Sequence, residues 1–161
     1  MLRPAGDADI PGLVALWNGF IRDTTVTFTC KPRTAAGLAA MIAGRRARGR
    51  EVFVAEEGGR LGLASYDQFR DGPGHAHAME HTILLPPALC GRGAGRALMA
   101  RLEARARAGG AHTLFAAISG ENEAAIAFHA RLGFATSARS PETGRKFGRW
   151  LDLVLMMTRF G

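Results

Sequence analysis

The chain has 161 residues, 47% hydrophobic and 22% charged, a balance that excludes a disordered chain, a collagen-like repeat and a disulfide-stapled miniature. A chain of this length can bury roughly 70% of the surface it exposes when unfolded, so a single domain over residues 1–161 is expected to stand on one core. The net charge is +7 and nearly all arginine, since Lys31 and Lys146 are the only lysines. That excess fits either codon bias written onto a solvated surface or a polyanionic partner, whether nucleic acid or a phosphorylated cofactor. No basic arm with interleaved aromatics supports nucleic acid. Cys30 and Cys90 have neither metal-ligand nor CxxC spacing. With no 18-residue apolar run, a cytoplasmic protein without a membrane partner is expected.

Asp7 or Asp9 can cap a first helix to about Arg22, with Ile10, Leu13, Val14 and Trp17 on one face. Thr34 can cap a second, through Leu38, Met41 and Ile42, ending near Gly49. The arginines at 45, 46, 48 and 50 fall at its end, where cations suit the helix dipole. Residues 51–55 and 60–66 are strand-like runs split by Glu56-Glu57-Gly58-Gly59, a hairpin signal. The turn-rich segment 70–74 leads to a third run, 77–85, stopped by Pro86-Pro87. A glycine cluster opens a helix over about 93–108, followed by a strand over 112–118. A helix over 121–132 closes at Gly133, and final strands start at Phe134 and span 150–158. This order predicts an α/β (α+β) sandwich, with a mixed central sheet of about six to seven strands flanked by helices, and not a doubly wound repeat.

The segment Cys90-Gly91-Arg92-Gly93-Ala94-Gly95-Arg96 joins a strand to a helix. Close-spaced glycines let the backbone approach a ligand, and the free N–H groups of a first helical turn attract an anion. Arg92 and Arg96 add positive charge. The dinucleotide fingerprint fails because Arg96 stands where its third glycine belongs, and the P-loop fails for want of Gly-Lys-Ser/Thr. A pyrophosphate-type site of another kind remains, beside the plainer alternative of a glycine-rich helix entry.

Glu80 interrupts an apolar strand. Alternation puts Glu80, Thr82 and Leu84 on one face and Met79, His81 and Ile83 on the other. A desolvated carboxylate there would have its pKa raised toward that of a useful base; on a solvated face it would be an ordinary surface group. Asn122, Ile126 and His129 share a helix face, where His129 is either a packed core histidine or a chemical group. His75, His77 and His81 lack a full ligand spacing, so no metal is expected.

The run Cys90-Gly-Arg-Gly-Ala-Gly95 resembles the acetyl-CoA signature of the GNAT N-acetyltransferase superfamily, Gln/Arg-x-x-Gly-x-Gly/Ala, with Cys90 departing at the first position. Gly120-Glu-Asn122 with 127–134 resembles the next motif of that family. More narrowly, Asn18, 24–28, Glu80-His81 and above all 144–152 (Gly-Arg-Lys-Phe-Gly-Arg-Trp-Leu-Asp) are similar to the phosphinothricin/methionine-sulfone N-acetyltransferase branch, over nearly the whole chain. The resemblance implies a GNAT fold, acetyl-CoA as cofactor, and a small-molecule amine acceptor whose α-amino group is acetylated by direct attack in a ternary complex. It also implies a homodimer.

By the same resemblance Glu80 is the base, and His129 protonates the departing thiolate or contacts the pantetheine arm. The cofactor would be held by the main-chain N–H groups of Ile83, Leu84 and Leu85, by Cys90, Gly91, Arg92, Gly93, Ala94, Gly95 and Arg96, and by Asn122 and Arg131. The acceptor would meet Phe28, Arg70, Asp71, Gly72, Met79, Glu80 and His81, with Arg70 gripping its carboxylate. Ala76, Ala78 and Leu84 stand where the branch commonly has Arg, Thr and Tyr. The alternatives are a peptide or protein N-terminal acetyltransferase, and a non-enzymatic CoA-binding or basic nucleic-acid-binding module.

Overall fold

The computed structural model describes residues 1–161. One sheet takes seven strands, β1 (Leu2–Pro4), β2 (Val52–Glu57), β3 (Arg60–Gln68), β4 (Ala78–Leu84), β5 (Thr113–Ser119), β6 (Ala135–Lys146) and β7 (Arg149–Arg159), in the order β1-β2-β3-β4-β5-β7-β6. All neighbours are antiparallel except β4 and β5. The mixed α/β sheet expected from the sequence is therefore present. The edge strand β1 is an addition: three residues are too few for an alternating pattern, and pairing of Leu2 with Ala55 and Pro4 with Phe53 defines it.

Two helices cover each face. On one side α1 (Ile10–Asp23) and α2 (Ala35–Ala47) bring Leu13, Trp17, Ile21, Leu38 and Ile42 onto Val52, Val54, Leu63 and Leu84. On the other, α3 (Ala94–Ala108) sets Leu98, Met99 and Leu102 on Phe53, Ala64, Met79 and Leu114, and α4 (Glu123–Arg131) adds Ala125, Ile126 and Phe128. The 3.6-residue spacing of these apolar positions produces the buried stripes.

Local details differ from the expected caps. Asp9 does not cap α1 with its side chain: its carboxylate accepts from Gly6 N (2.7 Å) and pairs with Arg3 (2.6 Å). Thr34 caps α2 through Gly37 N, as expected. The last helix begins two residues later than expected, at Glu123, because Asn122 is its cap and accepts from Ala125 N.

The block over 144–152 shapes the segment between α1 and α2. Lys146 is 2% exposed and its ammonium donates to the carbonyls of Thr24 (2.6 Å) and Thr27 (2.7 Å). Thr25 Oγ1 donates to Glu121 (2.9 Å). Gly144 lies against the Phe28 ring so closely that a Cβ there would overlap it. Gly144→Ala should therefore destabilise the fold by about 1–3 kcal/mol, the usual cost of overpacking, seen as a lower urea midpoint. An unchanged midpoint would mean that Phe28 moves aside freely.

Candidate active site

The parallel ladder between β4 and β5 runs from Ala78–Thr113 to His81–Ala116 and stops. Beyond it β4 stays paired to β3 as far as Leu84, and β5 stays paired to β7 as far as Ser119. The two central strands thus part while each remains anchored on its outer side. A cavity of about 270 Å³ occupies the gap, walled by residues 80–84 of β4 and 116–119 of β5. Trp17, Phe28 and Arg33 close one side, and Asn122, Ala125 and His129 the other.

Glu80 is half-buried in this wall and has no ion pair or hydrogen-bond partner in the protein. Burial raises its carboxyl above the ordinary value, and the charge of Arg45 opposes the rise. The alternation expected for β4 holds: Met79 and Ile83 pack on the α3 side, and Leu84 on the α1 and α2 side.

His81 and His129 are 5% and 3% exposed and face one another, Nε2 to Nε2, at 2.9 Å. The Nδ1–H of His129 donates to the Ala125 carbonyl (2.7 Å). Its Nε2 is then the acceptor, and His81 donates through its own Nε2–H. That leaves the buried His81 Nδ1 without a partner. Both rings are neutral: burial, then the neighbouring His129, depresses His81 to about 3, and burial lowers His129 as well. Both ring nitrogens of His129 are engaged, and its one N–H is spent on its own helix.

Asn122 uses Oδ1 for its cap, leaving its amide NH2 without a protein partner at the cavity wall. Ser119 is 2% exposed, lines the cavity and has an unpartnered Oγ. Next to the gap, α3 begins with no side-chain cap. Gly91 and Gly93 take φ of 73° and 85°, a region that favours glycine. Gly95 lets the helix approach β4 closely, since a Cβ would sit 2.9 Å from Leu85 Cδ1 and 3.2 Å from Phe128 Cζ. Free N–H groups at an uncapped helix start of this kind favour an anion.

The structure therefore brings Phe28, Glu80, His81, Ile83, Leu84, Asn122 and His129 together in one cavity. Arg92, Gly93 and Ala94 line a separate groove with Glu56 and Glu57; Arg92 pairs with Glu57 at 3.0 Å. Cys90, Gly91 and Arg96 are exposed around the same turn, and the Leu85 side chain packs into the α3-side core. Met79 is a core residue, 5% exposed. Arg70, Asp71 and Gly72 are exposed in the loop after β3, outside the cavity wall, and Arg131 is exposed in the last turn of α4. His77 is bound to the Gly110 carbonyl (2.7 Å), so it does not converge with His81. As site residues Trp17, Arg33 and Ser119 escape the sequence reading, which marks Trp17 only on the apolar face of the first helix. They come from a core stripe, a loop and a strand end, and only Asn18, which bonds Arg33 N (2.8 Å) and Arg33 O (3.0 Å), hinted that the loop was held.

Residues 14–134 match the acetyltransferase (GNAT) family. The chain belongs to that family and is an acetyltransferase. It is 40% identical over 157 residues to an L-methionine sulfoximine/L-methionine sulfone acetyltransferase of Pseudomonas paraeruginosa, covering 96% of this chain and 91% of the relative. It is 33% identical to a phosphinothricin N-acetyltransferase of Streptomyces coelicolor, over 95% of this chain and 92% of the relative. An acetyltransferase of Salmonella typhimurium solved with its cofactor acetyl-CoA superimposes with a TM-score of 0.95 at 34% identity, over 100% of this chain and 94% of that one.

The histidine pair makes stability pH-dependent. Unfolded histidine binds a proton near 6.5, whereas His81 in the fold does so only near 3, so the unfolded state holds the extra proton between those values. Stability from this group is full above 6.5 and lost as the pH falls, by about 1.4 kcal/mol per unit. In urea titrations at pH 7 and pH 5, His81→Gln, which keeps an N–H for His129, should flatten the decline. Equal slopes for both proteins would contradict this account.

Proposed function

We propose that this enzyme moves the acetyl group of acetyl-CoA to the α-amino group of a small amino-acid-like acceptor of the methionine sulfone, methionine sulfoximine or phosphinothricin type. The observation that carries the proposal is the unpaired, half-buried Glu80 carboxylate in the gap between β4 and β5, with the uncapped start of α3 packed against Leu85 just past the end of β4. Two relatives that act on such acceptors and cover nearly the whole chain support it.

Acetyl-CoA supplies the activated acyl group. The turn from Gly91 to Arg96 holds its phosphates by backbone N–H groups and the helix dipole. The parted edge of β4 over Ile83 and Leu84 leaves backbone unpaired toward β5, where it can meet the thioester and pantetheine. Asn122 offers its amide NH2 to the same arm. Glu80 holds the acceptor ammonium and takes its proton; the neutral amine then attacks the thioester carbonyl directly, the C–S bond breaks, and the second proton of the attacking nitrogen passes to the departing thiolate, so that coenzyme A leaves as the thiol. His129 acts as a wall of the acceptor pocket, since neither of its nitrogens has a proton free to give. Cys90, at the phosphate end, carries no acyl group.

A homodimer is also proposed. Phe147 and Trp150 are each 56% exposed at the β6–β7 turn, and β6 is a free sheet edge, a surface suited to a second copy. The exposed free thiols of Cys30 and Cys90 fit a reducing, cytoplasmic setting.

Acceptor profiling with methionine sulfone, phosphinothricin and short peptides, following coenzyme A release, tests the acceptor class. Preferential turnover of peptides would replace it with N-terminal acetylation. Glu80→Gln should lower kcat at neutral pH by about 10²-fold or more. The deficit should shrink toward pH 9, where a larger share of the acceptor is already unprotonated, while wild type loses activity in acid as Glu80 protonates. Parallel pH profiles for the two proteins would remove Glu80 from the base role.

A further inference from the structure

The cavity wall contains two charged side chains, Glu80 and Arg33, among its 18 residues. They are not paired with each other: no salt bridge within 4.0 Å joins them, and neither has an ion-pair partner elsewhere. The arginines around α2 and at the N-terminus, by contrast, are engaged. Arg45, Arg48 and Arg50 converge on Asp67, Arg46 pairs with Glu51, and Arg3 with Asp9. Arg33 has only a long Nη1–H contact to Met41 Sδ, at 4.0 Å.

Its placement is nevertheless tightly held. The guanidinium lies over the Trp17 ring, 4.1 Å from the centroid, and Trp17 is itself 5% exposed in the core. Asn18 grips the Arg33 backbone from both sides, accepting from its N–H (2.8 Å) and donating to its carbonyl (3.0 Å). With the guanidinium set over the Trp17 ring, its N–H groups have no oxygen partner in the protein and can bind a carboxylate bidentately. A cation fixed in this way loses little freedom when it binds.

We infer that Arg33 is the carboxylate anchor of the acceptor site, so that Arg33 and Glu80 together read the zwitterion of a free α-amino acid. The inference rests on the reading of the cavity as an amino-acid N-acetyltransferase site and deepens it. It moves the carboxylate contact from the exposed loop residue Arg70 to a residue inside the cavity. Glu80 receives the ammonium and Arg33 the carboxylate, while Val26, Phe28, Ile118 and Leu153 leave an apolar wall for the side chain. Peptides blocked at the α-carboxyl lack the group Arg33 requires, so free amino acids are selected over peptide N-termini.

The test compares kcat/KM for methionine sulfone and for its carboxamide, which keeps the amine and removes the carboxylate. Wild type should favour the acid by about 10²-fold. In Arg33→Met, which keeps an apolar arm over Trp17, the preference should fall to within about threefold, through a raised KM for the acid with kcat little changed. Arg33→Lys should retain part of the preference, and both variants are compared with wild type by thermal melting. Undiminished preference in Arg33→Met, or its loss in Arg70→Met instead, overturns this assignment and leaves the acceptor class standing. Wild type that binds acetyl-CoA but acetylates neither compound overturns the acceptor class and this assignment together.

Discussion

The site depends on one interruption in the sheet. Parallel pairing of β4 with β5 ends at His81 and Ala116, yet neither strand can follow the other's departure, because β3 and β7 keep their outer edges bonded. A gap opened at a sheet edge would close by rearrangement; held from both sides, it persists. Backbone groups that would normally satisfy one another are left facing the gap, and unsatisfied polar backbone is costly unless water or a ligand meets it. The same parting lets α4 set His129 against His81 behind the gap and lets the α1–α2 loop close its front.

The walls of that gap are built from distant sequence. The buried ammonium of Lys146 binds the carbonyls of Thr24 and Thr27, which fixes the loop carrying Val26 and Phe28. Gly144 admits the Phe28 ring. This gives the long block over 144–152 a physical role: from the far hairpin it holds the wall of the cavity formed by Val26 and Phe28. The +7 charge also resolves into parts. The arginine run at the end of α2 is paired in place, Arg45, Arg48 and Arg50 with Asp67 and Arg46 with Glu51. Arg96 remains at the open end of α3, and Arg33 remains inside the cavity.

What could be read along the chain was whatever is local. The alternation of β4, the glycines that open α3 and the cap at Thr34 are set by neighbouring residues, so their chemistry shows in short windows. Glu80 stood out because a carboxylate in an apolar strand is anomalous in its own segment. Arg33 did not stand out: a lone arginine before a helix cap looks like any solvated loop residue, and only the fold stacks it on Trp17. Ser119 is equally silent, an ordinary strand-end serine until the fold buries its hydroxyl without a partner in the cavity wall. The edge strand β1 is too short to have a period, and Asp9 looked like a cap because its competing partner, Arg3, reaches it from across a turn. The loop at 70–72 was assigned to the acceptor by family likeness alone, and its residues are exposed outside the cavity wall.

Stability alone would not leave a carboxylate and a guanidinium in one cavity without joining them. Partial burial of each charge costs free energy that a direct pair would largely recover. Here the stack on Trp17 and the grip of Asn18 hold Arg33 away from Glu80, while the strand pairing of β4 with β3 holds Glu80 in place. On the assignment inferred above, these two opposite charges, kept apart by rigid elements, are relieved together by a ligand that carries both an ammonium and a carboxylate. Adding such a ligand completes two charge-assisted contacts without reorganising the protein, which is the condition under which polar groups contribute most to selectivity. The unpaired state of Glu80 serves the chemistry as well. A carboxylate already bound to Arg33 would have its pKa lowered and its lone pairs occupied, and would be a poor proton acceptor. On the roles proposed for them, keeping the two apart serves recognition and proton transfer by the same geometry.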